Sequence, residues 1–132
     1  SNPPKFRRLL HSHADQEERH TTRFISVSGL LPDPSKDTEA MQQNSFWNLT
    51  YAATDSIRRI FNQFDTSGLG VEVFLSNKQK EVPLACHVGM RSAQDCQQVI
   101  AKLQRTTVTW SYQEEQISSG TLFLDYVSVT QK

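Results

Sequence analysis

The side chains best suited to chemistry gather near the N-terminus, where His11, His13 and His20 stand among Asp15, Glu17 and Glu18. Imidazoles and carboxylates are metal-ligand types, but an ion needs three or four of them converging from rigid backbone. On a helix, positions 11 and 13 point about 160° apart and cannot share one ion. A solvated charged face accounts for the cluster. Cys86 and His87 are the one tempting nucleophile–base couple. Neighbours on a strand point to opposite faces, so this thiol and imidazole diverge.

Two other patterns carry less. Asp65, Ser67 and Gly70 stand where the first ligand, third ligand and sixth-position glycine of a calcium loop would stand. Leu69 fills a ligand position there and Ser76 replaces the closing glutamate, so calcium is not expected. Asn48-Leu49-Thr50 is a glycosylation sequon, of consequence only in a secreted chain. No nucleophile elbow, Walker loop or His-Glu-x-x-His run occurs. No catalytic, cofactor-binding or metal-binding residue is therefore assigned.

The elements that would position any site come from periodicity. Residues 5–20 form a charged arm with a thin apolar stripe of Phe6, Leu9, Leu10 and Ala14, read as helical or loose. Alternation over 23–31 gives a strand, ended by Pro32-Asp33-Pro34, and 33–44 lack periodicity and form a loop. Phe46, Leu49, Ala53, Ile57, Ile60 and Phe64 recur at three and four residues, predicting a helix over about 45–64. Val71, Val73 and Leu75, then Val82, Leu84, Cys86 and Val88, predict a hairpin around 76–80, with Pro83 on an edge or at a strand start. Ser92 to Asp95 resembles a capping box and opens a helix over about 92–105, with Cys96, Val99, Ile100 and Leu103 inward. Two strands close the chain, one through Val108, Trp110 and Tyr112 and one over Thr121 to Val129, with a turn at Ser118-Ser119-Gly120.

This order predicts an α+β fold: an antiparallel four- to five-stranded sheet with two helices on one face, β-α-β-β-α-β-β, ferredoxin-like in order. The arm takes residues 1–22 and the single α+β domain 23–132. At 132 residues the chain suits one domain. Equal numbers of basic and acidic residues, 14 each, give no overall field to draw in nucleic acid. Phe74, Trp110, Tyr112, Phe123 and Tyr126 lie on strands with few Lys or Arg beside them, so core aromatics are the better reading. No apolar run approaches the roughly 20 residues of a membrane span, and no signal-peptide core is visible. An intracellular location is slightly favoured over a secreted one. Cys86 and Cys96 are a candidate disulfide, though two reduced buried thiols are at least as common.

Two resemblances follow. Arg8-Leu9-Leu10-His11 followed by Asp15-Gln16-Glu17-Glu18-Arg19 resembles the RxLR–dEER leader of secreted oomycete effectors, with His11 where that pattern has arginine. It covers residues 8–19 and implies a host-translocated, protein-binding effector. The element order with a long first helix is similar to SEA-type extracellular modules, without their Gly-Ser-Val-Val-Val autoproteolysis sequence.

The function expected is a non-catalytic protein-interaction or assembly domain, its partner another protein or a second copy. Its surface would be a sheet edge or the face left uncovered, with Trp110, Tyr112, Phe123, Tyr126, Val127 and Val129 as candidate residues, because the last strand is apolar on both faces. The alternatives are the secreted effector and a small enzyme whose site is assembled from distant residues.

Overall fold

The computed structural model describes residues 4–29, 46–75, 86–112 and 115–130. In chain order the elements are β1 (Lys5–Arg8), α1 (His13–Glu18), β2 (Phe24–Ser28), α2 (Phe46–Asn62), β3 (Glu72–Leu75), β4 (Cys86–Gly89), α3 (Ala93–Leu103), β5 (Thr107–Tyr112), β6 (Glu115–Thr121) and β7 (Phe123–Thr130). Five strands form one antiparallel sheet in the order β1-β7-β2-β4-β3, and β5 and β6 pair separately. The chain is thus a mixed helix-and-sheet fold, as its periodicities predict. Among the described residues, no helix is long and apolar enough to cross a membrane. The expected loop at 33–44, the hairpin loop at 76–80, and Pro83 lie outside the described residues.

The core follows from alternation. Ile25 and Val27 of β2, Cys86 and Val88 of β4, and Leu124 of β7 join Ile57 and Phe61 of α2 and Cys96 and Val99 of α3 in one buried cluster. Ile60, Phe64 and Leu103 pack against its margin. Arg58 and Arg59 take the exposed side of α2, where both pair with Asp55. The two cysteines are free, buried thiols. Burial pushes both up to about 12, so they behave as small apolar side chains rather than nucleophiles.

Both described helix starts with an N-cap use the same device, Ser-x-x-Asp. The Ser92 hydroxyl accepts the Asp95 N–H at 3.0 Å, as a cap should. The Asp95 carboxylate does not reach back as in a capping box. It accepts instead from the N–H and the hydroxyl of Thr66, tying α3 to the turn after α2. At α1 the Ser12 hydroxyl accepts the Asp15 N–H, and Asp15 takes the Leu10 N–H at 2.7 Å and both terminal nitrogens of Arg7 at 3.0 Å.

Those bonds explain where the arm departs from expectation. Instead of one helix over 5–20, residues 5–8 pair with the edge of β7, Phe6 opposite Val129, and only His13–Glu18 is helical. Leu9 is buried at 2% exposure while Leu10 stands out at 60%, so the thin apolar stripe is not used as a helix face. A second departure lies at Ser118-Ser119-Gly120, expected as a turn. These residues belong to β6, opposite Trp110, Thr109 and Val108. β6 and β7 are instead separated at Leu122, whose N–H donates to Thr106 and whose carbonyl accepts from Arg105. Small polar residues read as turn formers, yet here cross-strand pairing overrides that preference.

Candidate functional site

The site grows out of the residues that alternate with the core. Opposite Ile25 and Val27 on β2 are Phe24, Ser26 and Ser28, and the strand register carries them into rows. Phe74, His87, Ser26 and Asp125 face one another in sequence across β3, β4, β2 and β7. The next row runs Glu72, Gly89, Phe24, Val127, Arg8 through all five strands.

The arm partly roofs this face. The Phe6 ring lies 5.6 Å from Phe24, 5.5 Å from Phe74, and is stacked on the His87 imidazole at 4.1 Å. In a flat sheet, β1 and β3 would stand roughly 19 Å apart, four strand spacings. Contact between Phe6 and Phe74 therefore means that the sheet curls until its two edges approach. Over Phe24 the Arg23 guanidinium sits 4.3 Å from the ring centroid, held by the Met90 carbonyl at 2.8 Å.

Beyond the Phe6–His87 stack the face remains open as a groove of about 660 Å³, lined by Arg8, Ser26, Ser28, His87, Asp125 and Phe123 with Gln104 and Arg105 at its end. Phe123 is 51% exposed. Gln104 gives the groove a fixed wall: its side-chain amide donates to the Leu124 carbonyl and accepts the Leu124 N–H, as a neighbouring strand would. Arg8 approaches Asp125 at 3.7 Å.

The Ser26, His87 and Asp125 row has the residue types of a nucleophilic triad but not its order. Serine stands between the other two, so the carboxylate neighbours the hydroxyl and not the imidazole it would have to orient. Among the described residues no hydrogen bond links Ser26 to His87, and Asp125 faces Arg8. Burial lowers His87 below the ordinary imidazole value, favouring the neutral ring. The unfolded chain then takes up this proton more readily than the fold does. Its contribution to stability is complete above the unfolded imidazole value and is lost as pH falls below it. Urea midpoints should drop between about pH 7 and pH 5, and His87→Phe, which keeps a stacked ring, should remove that part of the slope. Identical slopes in both proteins would rule this out.

The residues singled out from sequence are not brought together. Phe123 and Val127 line the groove, although Val127 is buried. Val129 is half-buried opposite Phe6. Tyr126 turns to the other face and packs on the core, where burial raises its hydroxyl value, with Cys96 nearby adding to the rise. Trp110 and Tyr112 lie in β5, and their side chains are outside the described residues. Cys86 and His87 do diverge, the thiol into the core and the ring into the groove. In the arm, His13 pairs with Glu17, and Arg8-Leu9-Leu10-His11 runs from β1 into the turn before α1. Asp65 is engaged by its own loop: it accepts from the N–H and hydroxyl of Ser67 and from the Gly70 N–H, which together hold it below the usual carboxylate range. Asn48 to Thr50 falls within α2, its side chains outside the described residues.

Arg8, Ser26, Ser28, Asp125 and Arg105 were not legible as site residues. The one local signal was the pair of small polar residues alternating with Ile25 and Val27, which marks a face that is not packed as core. Neither family models, nor curated proteins, nor solved structures give a match to this chain.

Proposed function

We propose that this is a non-catalytic protein-interaction domain that binds an extended segment of a partner protein in the groove on the sheet face beside Phe6. The observation that carries the proposal is Phe123, a large apolar side chain half in water at the rim of a concave, polar-floored groove whose far wall is the Phe6–His87 stack. Aromatic anchors around a groove are the common energetic centre of such surfaces. In its architecture we read a ferredoxin-like unit, β2-α2-β3-β4-α3-β7, with both helices on one face, β1 added at an edge and β5–β6 inserted before the last strand. The antiparallel order β7-β2-β4-β3 and the shared core of α2 and α3 support this reading.

Selection of displayed peptides against the full chain tests the function. Enriched peptides should lose at least about tenfold in affinity for Phe123→Ser, equivalent to one anchor side chain. Equal binding to both proteins, or no enrichment, would refute the proposal.

The concavity also holds Ser26, His87 and Asp125, so a small hydrolase is the second reading, against which stands a row order that leaves the imidazole without its orienting carboxylate. Labelling of Ser26 by a fluorophosphonate, abolished by His87→Ala, would establish that reading in place of the first.

A further inference from the structure

We propose that the groove reads a carboxylate and that Arg105 is the residue that reads it, so that its occupant is an acidic–apolar segment of the partner. The inference rests on the groove being the partner surface. Arg105 follows Gln104, the C-cap of α3, and has φ +61°. That left-handed conformation is where a helix most often places glycine, because a side chain there costs free energy. Of the positive-φ residues described, it alone is not glycine. Its backbone is fixed by donation to the Leu122 carbonyl at 2.8 Å. Its side chain lines the groove, and among the described residues it has no hydrogen-bond or ion-pair partner.

A strained residue with an unengaged charge, pointed into a groove, is the pattern expected where stability has been given up for binding. Charge agrees with this. Arg8 and Arg105 face the groove against the single carboxylate of Asp125, and the 3.7 Å Arg8–Asp125 approach is too long to be a strong charge-assisted bond. An incoming carboxylate would find one free guanidinium and one weakly held one. Phe123 and Phe6 offer apolar ends for the residues beside it.

The probe is a fluorescently labelled, blocked hexapeptide, Leu-Leu-Glu-Glu-Leu-Leu, in which each face of the extended chain carries both kinds of side chain. Anisotropy titrations with the full chain should show binding that weakens about tenfold on Arg105→Gly and on replacing both glutamates by glutamine. Arg105→Lys should fall between. The thermal midpoint of Arg105→Gly should rise, which separates loss of binding from loss of fold. Unchanged affinity of Arg105→Gly, or absence of binding by the wild-type chain, would overturn the assignment. If the glutamine peptide binds as well as the parent and Phe123→Ser still weakens both, the carboxylate reading fails while the groove remains the partner surface.

Discussion

Gly29→Ala should lower the unfolding free energy by about 4 kcal/mol, combining about 1–2 kcal/mol for a side chain at positive φ with about 1–3 kcal/mol for overlap in a packed site. Gly29 follows β2 with φ +95°, and a Cβ there would run into the backbone carbonyl of Thr121 and press on the Phe123 ring at 3.3 Å. A carbonyl in the backbone between β6 and β7 cannot swing away as a side-chain end could. The alternative is for β2 to retreat from β7, to which it is paired from Phe24 through Ser28. Gly68→Ala is the control: its φ is +74° but nothing lies within 4 Å of an added Cβ, so it should cost only the conformational part, about 1 kcal/mol. Urea unfolding of both variants measures the difference. If the two cost the same, overlap with the Thr121 carbonyl adds nothing to the cost of positive φ. Because Phe123 is the second atom set met by the new Cβ, Gly29→Ala should also disturb the groove rim.

Which parts of this molecule could be read without coordinates follows from the range of the interactions that make them. The α2 stripe, the β2 alternation and the Ser92 cap are local patterns, and each appears where periodicity puts it. The arm could not be read that way. Whether Lys5–Arg8 is helix or strand depends on the vacant edge of β7, more than 100 residues away, and on Asp15 bonding to Arg7 and Leu10. The groove is less legible still. Ser26, His87 and Asp125 become neighbours only through two strand registers, and Phe6 reaches Phe74 only because the sheet curls. Tyr126 and Phe123 differ by an odd number of residues, so they could never share a face of one regular strand. A last strand apolar on both faces suggests one partner surface, but its two faces are split between the core and the groove.

Phe6→Ala should cost about 3 kcal/mol, the low end for removing a packed phenylalanine, because the ring is only half-buried but touches three other rings. The cost has a ceiling. Once it equals the free energy that docks β1 onto β7, the arm opens and nothing further is lost, since the core cluster contains no residue of β1. Amide exchange therefore distinguishes the outcomes. If the arm is a separable strap, β1 amides should exchange freely in Phe6→Ala while Ile25 and Val88 stay protected. If it is integral, protection should fall in proportion across the sheet. The Arg7–Asp15–Leu10 bonds lie beyond the lost ring and should still hold α1 against the turn. The same bonds hold Asp15 below the ordinary carboxylate value, so their contribution is complete above that value and disappears as pH falls below it. Acidification should thus loosen the turn between β1 and α1 within the arm.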